Sequence, residues 1–301
     1  MKTFKGDLVI KKGDNTDYSQ LTTVEGSISI YEGGSLDAPN LTTVEGSISI
    51  YEGGSLDAPN LTTVKESIHI YDGGSLDAPN LTTVEGYISI RDGGSFAAPN
   101  LKESGSIRIY KGASFAAPNL KEAESISIFE GASLDAPNLT ESGSISISKG
   151  GSFDSDVLKG LKYEAIDNSL FVIESERTVK GILVYSGYNV LKITNGKIIK
   201  EECFVAKSKG FNAHGKTIKK AIEDVKFKII SDKLKKDPIN KDTMISINYY
   251  HHATGSCILG IESWKKQQGI EVDEIRAYDL LIILESTNAY GLGKFKELIN
   301  F

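Results

Sequence analysis

LTTVEGSISIYEGGSLDAPN occupies residues 21–40 and recurs without a change over residues 41–60. Residues 61–80 and 81–100 vary the unit lightly, and the units beginning at Leu101, Leu120 and Leu139 have lost one residue between the leading Leu and the strand. The period therefore falls from 20 to 19. Gly6-Asp7-Leu8-Val9-Ile10-Lys11 sits one period before Gly26 and reads as a degenerate first turn, so eight strands are expected, from Leu8-Val9-Ile10 to Ile145-Ser146-Ile147. Tandem duplication is the simplest origin of such a series.

Inside the unit, Ser27-Ile28-Ser29-Ile30-Tyr31 alternates polar and β-branched residues, the period-two pattern of a strand with one buried face. Ile28 and Ile30 are expected to point inward. Gly33-Gly34 turns the chain, Leu36 and Ala38 return it to the core, Pro39 bars helix, and Asn40 can satisfy backbone groups at the corner before Leu41 re-enters. A single turn cannot bury its own apolar side, so stacking on its neighbours is what stabilises it. At ~4.8 Å per turn, eight turns make a rod of about 35–40 Å.

The lines LTTVEGSISI and SLDAPNL resemble the short leucine-rich-like repeats of receptor L-domains and related fungal surface proteins. The resemblance covers residues 6–150 and concerns architecture only. Ordinary leucine-rich repeats carry Asn three residues after the last inward residue of the strand, where Gly33 stands here, and no part of the unit has helical periodicity. The expected fold is mainly β: a right-handed β-solenoid of about eight 19–20-residue turns over residues 1–160, then a small α+β domain over residues 161–301.

Charge separates the two halves. Residues 1–160 carry 12 Lys/Arg against 22 Asp/Glu, and the remainder 22 against 18. An acidic rod repels nucleic acid and membrane surfaces. The longest apolar runs, such as Leu280 to Leu284, are far short of the ~20 residues that span a bilayer. With only Cys203 and Cys257 available, and Met1-Lys2-Thr3-Phe4-Lys5-Gly6 not followed by an apolar segment, neither a disulfide scaffold nor a signal peptide is expected. A cytoplasmic setting follows, and the N-L-T triplets at Asn40, Asn60, Asn80 and Asn138 then read as by-products of repetition rather than glycan sites.

Outward positions of the repeat stack into columns. One holds Tyr31, Tyr51, Tyr71, Arg91, Tyr110 and Phe129; another holds Ser29, Ser49, His69, Ser89, Arg108 and Ser127. Rigid aromatics in a row suit protein contact, although they also stabilise a sheet by touching across strands. His69, Arg91 and Arg108 interrupt otherwise uniform columns and are where specificity is expected. Carboxylates align too, at Glu25, Glu45 and Glu85, at Glu32, Glu52, Asp72 and Asp92, and at Asp37, Asp57 and Asp77. Calcium turns of β-rolls need a third glycine and a nine-residue spacing that Gly33-Gly34-Ser35-Leu36-Asp37 lacks, and Lys65, Lys111, Lys121 and Lys149 interrupt the acidic columns that nucleic-acid mimicry would use.

After Ser152-Phe153-Asp154-Ser155 the period ends, and Val157-Leu158-Lys159-Gly160 is expected to cap the solenoid. Strands are expected at 170–174, 181–185, 188–194 and 197–206, the last two joined by the hairpin signal Asn195-Gly196. Helices are expected at 217–234, 243–253, 257–268 and 278–287. Gly210-Phe211-Asn212-Ala213-His214-Gly215-Lys216-Thr217 fits the phosphate-loop pattern, with Lys209, His214, Lys216 and Thr217 as possible phosphate or nucleic-acid contacts. The preceding strand belongs to an antiparallel hairpin, however, and fewer than ninety residues remain, so a strand-to-helix turn capped by Thr217 competes with that reading. Lys207, Lys209, Lys216, Lys219 and Lys220 beside Phe204 and Phe211 offer a third, nucleic-acid-binding possibility. The spacing of Cys203, His214, His251, His252 and Cys257 matches no zinc signature, and neither a metal nor a cofactor is expected.

The segments "AHGKT", "YYHHATGSC" and "NAYGLGKFKEL" within residues 211–301 resemble a C-terminal module of uncharacterised phage and prophage repeat proteins. That resemblance implies a viral accessory protein acting on a host factor such as an immune effector. Together with variable residues on a duplicated scaffold, the expectation is a non-enzymatic protein-binding protein that binds and inhibits a host protein.

Overall fold

The computed structural model describes residues 2–236, 239–287 and 289–301. Contacts divide the chain into two compact units, one of residues Met1–Ser175 with Ser186–Cys203, the other of Glu176–Tyr185 with Phe204–Phe301. Residue 160 lies inside the first unit.

The first unit is the β-solenoid. Its eight Ile-Ser-Ile strands run from Leu8–Ile10 to the end of Glu141–Ile147, each paired in parallel with the next at one residue per residue, Ile28 beside Ile48 and Ile48 beside Ile68. Each middle turn carries two further short strands: a Thr-Val pair such as Thr43–Val44 and a Ser-Leu-Asp line such as Ser55–Asp57. Seven of the latter stack into their own parallel sheet, from Ser35–Asp37 to Ser152–Asp154. Leu41, Val44, Ile48, Ile50, Leu56 and Ala58 of one turn are all buried, and their counterparts fill the core along the rod.

Loss of one residue has a structural result. Thr83 and Val84 pair with Glu103 and Ser104, twenty residues on, whereas Ile88 pairs with Ile107, nineteen on, so the missing residue comes out of the bend between the two strands. Without it they merge into single seven-residue strands, Glu103–Ile109, Glu122–Ile128 and Glu141–Ile147.

The corner asparagines do what their chemistry suggests. Asn60 Nδ2 donates to the carbonyl of Pro39 at 2.7 Å, and Asn80, Asn100, Asn119 and Asn138 repeat this bond to the preceding turn at 2.7–3.0 Å.

The last turn is covered. Leu158, in a short 3-10 turn at Asp156–Leu158, enters the core together with Leu170, Val172, Tyr188, Val190 and Ile193. Ser142 pairs with Ile193 antiparallel, and the Asn168 carbonyl accepts from Ser146 Oγ at 2.9 Å. These bonds occupy the edge that stacking leaves open.

Long strands follow at Ser169–Val179, Ile182–Thr194 and Lys197–Ser208, flanked by Tyr163–Ile166 and Phe211–Gly215. Their links, Asp167-Asn168, Lys180-Gly181, Asn195-Gly196 and Lys209-Gly210, all have positive φ at both residues, the backbone of two-residue hairpin turns. The two runs expected at 181–185 and 188–194 are one strand.

Among the described residues the second unit holds five helices: α1 (Ile218–Lys236), α2 (Ile247–Thr254), α3 (Ile258–Gln267), α4 (Ala277–Thr287) and α5 (Leu292–Leu298). The helix expected from residue 243 begins only at 247, because Met244–Ser246 pairs antiparallel with Glu274–Arg276 and the Ser246 hydroxyl then caps α2 by accepting from Tyr249 N at 3.2 Å. One core gathers Ile245, Tyr250, Ile261, Leu280, Leu284 and Phe295; a second gathers Ile182, Val184, Ala206, Ala213, Ala221 and Val225. Trp264 is half-buried at the rim of the first, its indole donating to Thr287 Oγ1 at 3.2 Å. No helix among the described residues is long and apolar enough to cross a membrane.

Candidate protein-binding face

Parallel, in-register pairing brings each outward residue of the Ile-Ser-Ile strands above its counterpart, so the columns expected from the repeat are assembled in space. Tyr31 and Tyr51 stack with ring centres 5.1 Å apart and planes 8° apart, and Tyr51 and Tyr71 at 4.8 Å and 8°. The next position is Arg91, whose guanidinium carbon lies 5.8 Å from the Tyr71 ring centre and 4.3 Å from that of Tyr110. Tyr110 then stacks on Phe129 at 4.7 Å and 5°. Six residues form one stack. Their ring faces are spent on one another, which leaves edges, hydroxyls and the in-plane N–H groups of Arg91 for a partner. Burial, and then the neighbouring phenols of Tyr71 and Tyr31, push the Tyr51 hydroxyl above the usual tyrosine range.

In the second column His69 lies beside Ser49 and Ser89, and Arg108 beside Ser89 and Ser127. The His69 ring meets Tyr87 edge-on at 4.9 Å, and the Arg108 guanidinium lies 5.5 Å from the centre of the same ring. Tyr87 was missed in the sequence. It replaces a serine in the column Ser27, Ser47, Ser67, Tyr87, Ser106, Ser125, the same kind of interruption that marks His69, Arg91 and Arg108. Partial burial lowers the affinity of His69 for a proton, and the Arg91 charge lowers it further.

The acidic columns border this face. Glu32, Glu52, Asp72, Asp92 and Glu130 are exposed on the corner after the strand, with Lys111 among them. On the opposite border, Lys65 bridges to Glu45 at 2.7 Å. A trough of about 590 Å³ runs where the strands merge, lined by Glu103, Glu122, Glu124 and Glu141 together with Lys192. Among the described residues no three His, Cys, Asp or Glu side chains converge to hold a metal ion.

Most of residues 210–217 is strand rather than loop. Phe211–Gly215 is a strand paired antiparallel with the preceding one, Val205 beside His214 and Ala206 beside Ala213. Each signature residue has a structural task. Gly210 takes φ +82 in the turn, a Cβ on Gly215 would sit 2.4 Å from the Ala221 nitrogen, and Thr217 Oγ1 accepts from Lys220 N at 3.2 Å to cap α1. A phosphate cradle needs loop amides converging on one point, whereas this backbone is extended and paired. Lys209 and Lys216 are exposed, and His214 is partly buried. In the basic cluster, Lys219 and Lys220 pair along α1 with Glu223 and Asp224 at 4.0 and 2.6 Å, and Lys207 Nζ lies 5.2 Å from the Tyr185 ring centre.

The rings of His251 and His252 lie against each other, centres 4.7 Å apart, and each also has a contact of its own. The first contacts the Ser256 carbonyl through Nδ1 at 2.5 Å, and the second meets the Phe227 ring edge-on at 5.4 Å. Burial raises the Cys203 thiol to about 11, while Cys257 is exposed at the start of α3. Compared with family models, with characterised proteins and with solved structures, the chain matches none.

Proposed function

We propose that this chain is a non-enzymatic binding protein that presents the Tyr31–Phe129 face of its solenoid to another protein, a host factor if the chain is phage-borne, and that occupying the partner inhibits it. The observation that carries this is a cluster of chemical changes on one face of a duplicated scaffold. The two inward isoleucines of each strand repeat unchanged from the second turn to the eighth, while Tyr87, His69, Arg91 and Arg108 replace the column residues of their neighbours within three consecutive turns. Aromatic and arginine side chains dominate binding energy at protein interfaces.

Returning the columns to their common residues, as His69→Ser, Arg91→Tyr and Arg108→Ser together, leaves the core untouched. The intact chain should retain a protein from bacterial host lysate at moderate salt, and the triple variant, with an unchanged circular dichroism spectrum, should not. Retention of the same protein by both would remove this face from the function.

A further inference from the structure

The outward positions of the Ile-Ser-Ile strands from the second to the eighth turn carry serine, tyrosine and phenylalanine, and three other residues only: His69, Arg91 and Arg108. No carboxylate falls at these three columns; the nearest on the same strands are Glu103, Glu122 and Glu124, at the far end of the merged strands. Both guanidinium groups are exposed, and neither makes an ion pair among the described residues. Each is nevertheless held in place, Arg91 between the rings of Tyr71 and Tyr110 and Arg108 over Tyr87. Stacking uses the π face of a guanidinium and leaves its N–H edge free, the edge that meets a carboxylate with two parallel hydrogen bonds. It also restrains the side chain beforehand, which reduces the ordering cost of binding.

The surroundings narrow the ligand. Exposed carboxylates at Glu52, Asp72, Asp92 and Glu130 border the island, and residues 1–160 carry ten more acidic than basic side chains, 22 against 12. An extended polyanion such as nucleic acid would meet repulsion along both borders, and two arginines release too few counterions to overcome it. A compact anion on an otherwise neutral or basic surface meets no such barrier.

We propose that Arg91 and Arg108 form a recognition site for an Asp or Glu carboxylate presented by a protein partner, with His69 and Tyr87 as its walls. The assignment rests on the solenoid face being the protein-binding surface, and it adds the chemistry of what docks there.

Four arginines, Arg91, Arg108, Arg177 and Arg276, are present in the whole chain, so arginine-selective 15N labelling of the full protein gives four side-chain Nε–Hε signals. The probe is the acetylated, amidated dipeptide Glu-Glu. The signals of Arg91 and Arg108 should move together and saturate with one midpoint, while exposed Arg177 and Arg276, paired with Asp279 at 2.8 Å, stay in place. Gln-Gln dipeptide should move none, and Arg91→Tyr should weaken the Arg108 response by about tenfold, the loss of one charge-assisted pair. Shifts at Arg91 and Arg108 no larger than at Arg177 would overturn the site. Saturation by inorganic phosphate or by a thymidine oligonucleotide at lower concentration than by Glu-Glu would overturn its assignment to a carboxylate. The titration reads the two arginines without any partner, so it can fail while the face still retains a protein, and it can succeed when lysate capture yields none.

Discussion

The glycine pair at each turn shows how far a single residue matters. Gly53 has φ +64 with nothing near its missing Cβ, whereas a Cβ on Gly54 would lie 3.0 Å from the Tyr51 carbonyl. The later turns have already tested the second position, since Ala113 and Ala132 stand where Gly54 does and are buried in the core. Positive-φ glycine recurs in all eight turns, from Gly13 to Gly150. Gly53→Ala should therefore cost about 1 kcal/mol, the penalty of a left-handed backbone with a side chain, and Gly54→Ala should stay within about 0.5 kcal/mol. Urea unfolding of the two variants checks the difference; equal losses would mean that the turn is not held as described. At this scale the repeat was legible, because comparing copies separates residues the backbone needs from residues it tolerates. The inward Ile, Leu and Ala and the corner Asn were readable for that reason. The task of Gly215 was not, since it depends on how close α1 passes.

Strands and helices were legible in proportion to their length and periodicity. The Ile-Ser-Ile strands and four helices were found, but the two-residue Thr-Val strands were not, and neither was α5, which is only seven residues long. The glycines and histidine of residues 210–217 read as a loop motif, while the pairing that makes Phe211–Gly215 a strand comes from residues 204–208. Merging of strands in the 19-residue turns leaves a mark on the core. The inward Val of the earlier turns becomes Ser104, Ala123 and Ser142, and the hydroxyls of Ser104 and Ser142 are buried without a hydrogen-bond partner among the described residues. A buried unsatisfied hydroxyl costs about 1–3 kcal/mol, so Ser104→Ala, which copies Ala123 of the next turn, should raise stability by about 1 kcal/mol. A rise in Tm with an unchanged spectrum is the expected outcome. A fall would show that the hydroxyl is bonded in solution.

On the scale of the whole molecule, repetition makes the rod divisible. Each turn contacts its neighbours and little else, so removing one should lower stability by one interface and leave the remaining turns to stack. The face, by contrast, is not uniform, because His69, Tyr87, Arg91 and Arg108 fall in three consecutive turns between residues 61 and 119. Two deletions of equal length separate scaffold from function. Removing residues 41–60 takes out a plain copy of its predecessor, and removing 81–100 takes out Tyr87 and Arg91. Both variants should fold, as circular dichroism and a cooperative melt would report. The decisive measurement is retention of the lysate protein by each: the account predicts that the chain lacking 41–60 retains it and the chain lacking 81–100 does not, and equal retention or equal loss by the two folded variants would contradict it.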